Sequence, residues 1–222
     1  MSSRDAIFSR IRKSLGVDSG DAGRRAVVIG RLDSARRGVI PARGQLPREE
    51  RIALFAKMAE KTSATVVRVA TAEEFPEEVA RFLRSHNIPA EFRMGDDLRL
   101  DAMPWEWTQT TIRRGAAEGS DVTGVSHAQA GVAESGTLVL TSGPDNPTTI
   151  NFLPENHIVA IAASDVLGDY ESAWDMLRER YGKAVLPRTV NMITGPSRSA
   201  DIEQTLLLGA HGPRRLHIVI VG

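Results

Sequence analysis

The sequence predicts an α/β protein, a three-layer α/β/α arrangement built on a mostly parallel sheet. The β-branched segment Thr65–Val69 precedes a helical pattern over Ala72–His86, and a short apolar segment, Ile88–Phe92, follows. This strand–helix–strand rhythm is typical of parallel strands joined by a crossover helix. The same rhythm returns over residues 190–221. The 222 residues, 41% hydrophobic and 25% charged, suffice for one large domain with a real core.

An N-terminal helix and an extended arm are expected over residues 1–46, ahead of an α/β domain over 47–222. Residues Arg4–Leu15 place apolar side chains at near-helical spacing, with basic residues on the other side. Such a helix packs on its own domain or on a second copy of the chain, or docks on a partner or a membrane surface. Residues Gly16–Pro47 are rich in Gly, Arg, Asp and Pro, which favours an extended connector. An arm of this kind can reach over a neighbouring subunit, so we expect a homo-oligomer.

The remaining elements follow from local signals. Pro47 suits the first turn of a helix that reaches about Lys61, and Thr71 is placed to cap the helix over Ala72–His86. A Gly/Pro/Asn cluster at Ser142–Pro147 indicates a loop. Strands are predicted over Asp121–Val125, Gly131–Thr141, His157–Ala162, Val190–Ile193 and Leu216–Val221, and helices over Tyr170–Tyr181 and Ala200–Leu208.

Composition narrows the classes of function. Lys plus Arg and Asp plus Glu both number 28, and a net charge of zero argues against a nucleic-acid binder. The chain has no cysteine, which removes disulfides, thiolate nucleophiles and cysteine-held zinc or iron–sulfur clusters. We see no signal peptide, no apolar run of roughly 18 residues and no flavin or nicotinamide motif. We therefore expect a cytoplasmic protein with no transmembrane segment, no metal and no cofactor of its own.

The sharpest local pattern is Thr194–Glu203, which reads Thr-Gly-Pro-Ser-Arg-Ser-Ala-Asp-Ile-Glu. A strand ends there, a Gly-Pro turn follows, and a helix is expected to begin near Ser199, where free backbone N–H groups attract anions. Arg198 and the hydroxyls of Ser197 and Ser199 suit a phosphate or a carboxylate. Ligands of open α/β sheets gather at the carboxyl ends of strands, which is where we place this turn.

A simpler interpretation of the same turn stays open. Asp201 and Glu203 would themselves stabilise the start of the helix and repel an anion, and Arg198 could pair with Asp201. His211 follows the predicted helix, where it either contacts a ligand or caps the last helical carbonyls.

Glu134 is the best single candidate for a general base or a nucleophile. It interrupts an otherwise apolar, small-residue strand, and a buried carboxylate is costly unless it is paired or functional. Alternation along a twisted strand would equally place it in solvent. His127 and His157, with Asp121 or Glu155, could bind a divalent metal, although the HxH and HExxH spacings are absent. Other polar residues near this strand in sequence are Thr123, Asn151 and Asn156.

Two Gly-rich stretches carry a family resemblance. They are Gly131-Val-Ala-Glu-Ser-Gly-Thr-Leu-Val-Leu140 and Ile193-Thr-Gly-Pro-Ser-Arg-Ser-Ala-Asp-Ile-Glu203, accompanied by Leu153-Pro154, His157-Ile158 and Leu208-Gly-Ala-His-Gly-Pro213. Together they resemble the lactate-utilisation protein C family of LUD-domain proteins, over roughly Pro47 to Gly222.

The resemblance implies a fold similar to the sugar-phosphate isomerase and CoA-transferase superfamily. It also implies a part in oxidising L-lactate to pyruvate beside two iron–sulfur partner proteins, with this cysteine-free chain as the member without a cluster. By analogy with that superfamily, Glu134 on its strand would be catalytic beside the Gly195–Arg198 turn. The residues expected to bind a substrate or an anion are Thr137, Gly195, Ser197, Arg198 and His211. The family usually has an arginine in the loop before Leu153-Pro154, where this chain reads Asn146-Pro-Thr-Thr-Ile-Asn151.

Three functions follow as hypotheses. The first is a cluster-free component of a lactate-oxidising system, which supplies a substrate pocket or a scaffold. The second is a free-standing isomerase or acyl/CoA-transferase that uses Glu134. The third is a non-catalytic sensor that binds a small carboxylate at Ser197–Arg198 and signals through the N-terminal arm.

Overall fold

The computed structural model describes residues 2–202, 205–209 and 211–222, of which 199–202 and 205–208 are described by their backbone. The chain divides into two compact units, Met1–Gly38 and Val39–Gly222. The predicted domain boundary, between residues 46 and 47, falls shortly after this division. Among the described residues, no helix has the length and apolar character needed to cross a bilayer.

The first unit contains two helices, α1 (Ser3–Leu15) and α2 (Ala22–Ser34). A capping box begins α1: the Ser2 hydroxyl accepts from the backbone N–H of Asp5, and the Asp5 carboxylate accepts from that of Ser2. Asp21 caps α2 through the backbone N–H of Arg24. The prediction of a helix near residues 4–15 is confirmed. The prediction of an extended connector over Gly16–Pro47 is wrong for its central part, where α2 forms. The Asp21 cap and the apolar residues after it favour a helix there.

The second unit contains four α-helices and twelve strands in its described residues. The helices are α3 (Arg48–Lys61), α4 (Phe75–Ser85), α5 (Leu98–Asp101) and α6 (Tyr170–Tyr181). The strands are β1 (Thr65–Val69), β2 (Glu91–Met94), β3 (Thr111–Arg114), β4 (Thr123–His127), β5 (Ala130–Val132), β6 (Thr137–Thr141), β7 (Asn156–Ala162), β8 (Val166–Leu167), β9 (Val190–Ile193), β10 (Arg198–Ile202), β11 (Thr205–Leu208) and β12 (Arg215–Val221).

The main sheet has six strands in the order β1-β12-β7-β4-β2-β3, and every neighbouring pair is parallel. Its central strands β7 and β12 are apolar and buried on both faces, as expected for a parallel sheet covered on both sides. Phe55 of α3 packs in the core cluster on one face, and Phe75 and Phe82 of α4 pack in the cluster on the other. The predicted α/β class with a mostly parallel sheet is confirmed.

A second, four-stranded sheet has the order β8-β5-β6-β9. The single strand predicted over Gly131–Thr141 is wrong, because the chain reverses at residues 133–136 and β5 pairs antiparallel with β6. Gly136 makes the reversal possible: its φ is +69°, and a Cβ there would lie 2.2 Å from the backbone nitrogen of Ala59 in α3. β9 pairs antiparallel with β6, so it does not form the predicted βαβ unit with β12.

The helix predicted over Ala200–Leu208 is also wrong. Strands β10 and β11 form an antiparallel pair in which Arg198 lies opposite Leu208. A short apolar run such as Thr205–Leu208 fits a helix or a strand equally well, and cross-strand pairing of the backbone decides between them here. No helix therefore begins near Ser199.

Candidate functional site

A cavity of about 310 Å³ lies against the turn that follows β9. The turn comes after the carboxyl end of β9, as predicted, but β9 belongs to the smaller sheet. The cavity meets the parallel sheet at its amino edge, where His157 and Leu216 are the second residues of β7 and β12. The turn therefore does not lie at the carboxyl ends of the parallel strands. The lining residues are Asn151, Phe152, His157, Met192, Ile193, Thr194, Gly195, Pro196, Ser197, Arg198, His211, Gly212, Pro213 and Leu216.

Close backbone contacts shape the turn. Gly195 has a φ of +77°, and a Cβ there would lie 2.3 Å from the carbonyl oxygen of Thr62, so only glycine fits. The Ser197 N–H donates to the Pro213 carbonyl at 2.8 Å, and the Gly209 N–H donates to the Ser197 carbonyl at 2.9 Å. These two bonds hold the turn against Gly209 and Pro213. The first bond also occupies the Ser197 N–H, so this group is not free to bind an anion.

Four of the predicted ligand-binding residues meet in the cavity wall: Gly195, Ser197, Arg198 and His211. The side chains of Arg198 and His211 are exposed. Arg198 forms no ion pair with any described residue. The side chain of Asp201 and all of Glu203 lie outside the described part of the chain. The predicted ion pair between Arg198 and Asp201 therefore also lies outside it. A guanidinium in a cavity wall is suited to a carboxylate or a phosphate.

Thr137 lies behind this wall. Its hydroxyl is 2.7 Å from that of Thr194, and it also contacts the hydroxyls of Ser135 (2.7 Å) and Tyr170 (2.8 Å). Because Thr137 is fully buried and does not line the cavity, the contacts seen for it support the turn through Thr194.

Glu134 lies in the β5–β6 turn, not on a strand, and it does not line the cavity. It is 4% exposed. One carboxylate oxygen accepts from the Tyr170 N–H at 3.2 Å, at the start of α6, and the other is 3.9 Å from the Nε atom of Arg43. A carboxylate at a helix N-terminus stabilises the helix dipole, which gives the burial of Glu134 a structural reason. Its catalytic role stays a prediction.

A buried polar network borders the cavity, and its arrangement was not expected from the sequence. Ser126 of β4 donates to the Oδ1 atom of Asn146 at 3.0 Å and lies 3.2 Å from that of Asn151. The Nε2 atom of His157 is 3.0 Å from the Ser126 hydroxyl oxygen. All four residues are at most 2% exposed. In the sequence, the signal for this network is His157 ahead of the apolar run Ile158–Ala162, which indicates no more than a possible metal ligand.

Two nitrogen atoms of this network have no hydrogen-bond partner among the described residues. They are Nδ1 of His157 and Nδ2 of Asn151, and both residues line the cavity. Burial lowers the pKa of His157 to about 3, so its imidazole is neutral at physiological pH. Unpartnered buried polar atoms are uncommon in proteins.

The residues considered for a metal site have other contacts. Asp121 accepts from the Nε atom of Arg93 at 2.9 Å; its burial alone would raise the pKa of its carboxyl, but bonds from the Glu118 N–H and from Arg93 lower it. The Nδ1–H of His127 donates to the Ala128 carbonyl at 2.8 Å. In the part of the chain that the structure describes, no three His, Asp or Glu side chains cluster closely enough to hold a metal.

The sequence profile of the LUD domain matches residues 52–221. The chain belongs to the LUD domain family. The resemblance drawn from the two Gly-rich stretches is thereby confirmed, and the match includes the cavity, the turn after β9 and the Ser126–His157 network of this LUD domain.

Several curated relatives of this LUD domain are named lactate utilization protein C. Those from Anoxybacillus flavithermus and Geobacillus sp. (strain WCH70) are 35% and 40% identical over 123 residues, which cover 55% of this chain and 54% and 51% of the relatives. The Bacillus subtilis protein of that name is 35% identical over 122 residues, 53% of this chain and 50% of the relative. The chain thus spans about half the length of the curated relatives it matches.

A solved structure shares the fold of this LUD domain. It is the crystal structure of a DUF162 family protein from Deinococcus radiodurans, with a TM-score of 0.58 and 18% identity, covering 80% of this chain and 99% of that one. The likeness supports the α/β fold. The similarity to the sugar-phosphate isomerase and CoA-transferase superfamily stays a prediction.

Proposed function

We propose that this LUD domain is a component of an L-lactate utilisation system, in which it binds a small carboxylate in the cavity beside the Gly195–Arg198 turn. The observation that carries the proposal is the cavity itself, whose wall contains the guanidinium residue Arg198 and the amide residue Asn151. An arginine in the wall of a small cavity suits a carboxylate. The names of the curated relatives supply lactate as the first carboxylate to test.

In this proposal, oxidation of L-lactate to pyruvate takes place with iron–sulfur partner proteins. The chain has no cysteine, so it offers no thiolate to hold a cluster. Its own part is to bind and orient the carboxylate, and the electrons pass through the partners.

Binding is the direct test of the carboxylate site. L-Lactate titrated into the protein at neutral pH should bind the wild type, and Arg198→Ala should weaken binding by about 10-fold or more, since charge-assisted hydrogen bonds are worth ~1.5–3 kcal/mol. Arg188→Ala is the matched control, because Arg188 is an exposed arginine outside the cavity lining. Equal affinities for Arg198→Ala and Arg188→Ala would remove Arg198 from the site.

Partner proteins need a separate test in the native host. Deleting the chromosomal copy should abolish growth on L-lactate, and a tagged chain should co-purify with iron–sulfur proteins when lactate is the carbon source. Wild-type growth on lactate after deletion would refute the pathway assignment whatever the binding result.

The alternative of a free-standing isomerase or acyl/CoA-transferase depends on Glu134. Its carboxylate contacts Tyr170 and Arg43 and does not line the cavity. The described contacts therefore favour the carboxylate-binding component over the Glu134-dependent enzyme.

A further inference from the structure

The two helices of the first unit keep their apolar side chains exposed. Neither α1 nor α2 contains a buried residue. Concentrated exposed apolar surface marks a site of interaction with another protein or with a membrane. Eight large apolar side chains of these helices are between 43% and 62% exposed: Ile7, Phe8, Ile11 and Leu15 in α1, and Val27, Val28, Ile29 and Leu32 in α2.

The apolar side chains of α1 share one face of the helix. They occupy positions 7, 8, 11 and 15, which lie within about 100° of the helix circumference. Arginines accompany this face: the guanidinium carbons of Arg4 and Arg12 lie 5.6 and 5.8 Å from the centre of the Phe8 ring. A guanidinium on a long apolar stem can stay at a polar boundary while its stem covers apolar surface.

The first unit is strongly basic. Residues 1–38 contain nine Lys or Arg and four Asp, which gives a net charge of +5. Residues 39–222 contain the other 19 Lys or Arg and all the other 24 Asp or Glu, a net charge of −5. The zero net charge of the whole chain therefore combines a basic and an acidic part, and a partner of the first unit should be anionic.

Among anionic partners, charge and shape together favour a lipid surface. Two copies of the first unit would repel each other, since each carries +5. Nucleic acid would bind the arginines but leave the aliphatic side chains in water. A protein partner must offer a matching apolar groove, and the exposed large apolar side chains described in residues 39–222 fall in separate segments of one or two residues. The interface of an anionic bilayer accepts apolar and basic side chains without a preformed groove.

We propose that α1 and α2 dock this LUD domain on an anionic membrane surface, with their apolar side chains inserted at the headgroup boundary and their arginines among the lipid phosphates. Helices of this kind lie in the plane of the interface and do not cross the bilayer. Phe8 and Ile11 contribute apolar area to the contact, and Arg4 and Arg12 contribute electrostatic attraction. The proposal does not depend on the carboxylate site, because it concerns the other unit of the chain.

Flotation of the full chain with lipid vesicles tests the proposal. Vesicles that contain phosphatidylglycerol should bind the wild type at low ionic strength, and pure phosphatidylcholine vesicles should bind it at least roughly 10-fold more weakly. Added salt should weaken binding to the anionic vesicles, because it screens the charges. Equal binding to both kinds of vesicle would overturn the role of charge, and no binding to either would overturn membrane docking.

The double variant Arg4→Gln/Arg12→Gln tests the basic residues. Each basic residue near an anionic surface strengthens binding roughly 5-fold, so the variant should bind anionic vesicles roughly 25-fold more weakly than the wild type. Arg48→Gln/Arg188→Gln is the matched control, because it removes the same charge from exposed arginines of the second unit. Equal losses for the two double variants would mean a general attraction by net charge and would overturn the assignment to α1.

Phe8→Ser/Ile11→Ser tests the apolar side chains. Binding to anionic vesicles should weaken by roughly 10-fold or more, because both side chains would lose apolar area that insertion buries. Val185→Ser/Leu186→Ser, which changes two side chains of the second unit that are each 55% exposed, should bind as the wild type does. Since α1 buries no residue, the urea midpoint of the second unit should stay the same in Phe8→Ser/Ile11→Ser. Unchanged vesicle binding by this variant would overturn insertion.

A second copy of the chain is the competing occupant of these helix faces. Analytical ultracentrifugation of the wild type and of Phe8→Ser/Ile11→Ser without lipid measures the oligomeric state. A wild-type oligomer that this variant converts to monomers would show that a second copy covers the apolar side chains, and would overturn the proposal. The same oligomeric state for both proteins, together with weaker vesicle binding by the variant, is the expected result.

Discussion

Replacing Gly195 by alanine tests whether close backbone packing shapes the cavity. The new Cβ would lie 2.3 Å from the Thr62 carbonyl oxygen, well inside van der Waals contact, in a residue whose φ is +77°. The left-handed conformation costs a non-glycine residue about 1–2 kcal/mol. Forcing extra volume into a packed site costs about 1–3 kcal/mol more. We therefore expect Gly195→Ala to reduce the free energy of unfolding by about 2–5 kcal/mol.

Gly115→Ala is the matched control for this substitution. Gly115 also has a positive φ, +91°, but a Cβ there would meet no heavy atom within 4 Å. Gly115→Ala should reduce the free energy of unfolding by only about 1–2 kcal/mol, the cost of the left-handed conformation. Alanine also restricts the unfolded chain, but this effect is the same in both variants and cancels in the comparison.

Urea unfolding followed by tryptophan fluorescence measures the difference. All three tryptophans, Trp105, Trp107 and Trp174, lie in the second unit, so the signal reports the unit that contains both glycines. A loss for Gly195→Ala no larger than that for Gly115→Ala, at unchanged m-values, would show that the Thr62 contact does not constrain the turn.

Three further predictions concern buried polar groups. Burial alone would raise the pKa of Glu78, but bonds from His217 and Arg81 lower it from 4.5 to about 2, so its stabilising effect is present above pH 4.5 and lost as the pH falls towards 2. Between pH 6 and pH 3, the free energy of unfolding measured in urea should therefore fall by about 2 kcal/mol more for the wild type than for Glu78→Gln. Equal losses would contradict the lowered pKa of Glu78. His157 should show no titration of its ring signals by NMR between pH 5 and 8, because its pKa is about 3; a midpoint near 6.5 would refute its burial as a neutral ring. Tyr170→Phe removes the hydroxyl that bonds Thr137 at 2.8 Å and should lower the free energy of unfolding by about 1 kcal/mol, whereas an unchanged urea midpoint would mean that the hydroxyl cluster adds no net stability.

Elements with a strong local signal were predictable from the sequence. The helix from Pro47 to about Lys61 and the strand Thr65–Val69 were predicted nearly as the structure has them, α3 covering Arg48–Lys61 and β1 Thr65–Val69. In each case the apolar pattern, the turn residues and the length agree on one structure, so no distant contact is needed to decide it.

Elements that depend on distant contacts were predicted wrongly. The stretch Gly131–Thr141 has the composition of one strand, and its reversal depends on Gly136 packing against α3, about 75 residues away in sequence. The run Ala200–Leu208 suits a helix by its leucines, but strand pairing across Arg198 and Leu208 prevails.

The candidate site shows the same division. The residues of the turn, Gly195, Ser197 and Arg198, were identified because a Gly-Pro turn beside hydroxyl and guanidinium groups is a local pattern. His157 was noticed, but its role depends on Ser126, 31 residues earlier, and on the amides of Asn146 and Asn151.

The sequence by itself determined the α/β class, the family and the exclusion of a cysteine-held cluster, because composition, periodicity and motif residues are properties of the chain alone. The tertiary structure decided that the Glu134 carboxylate contacts the start of α6, that the turn after β9 lines a cavity at the amino edge of the parallel sheet, and that Nδ1 of His157 has no partner among the described residues. The physical reason is that local preferences act over a few residues. The protonation and partners of a buried group, in contrast, depend on which distant strands and loops the fold brings against it.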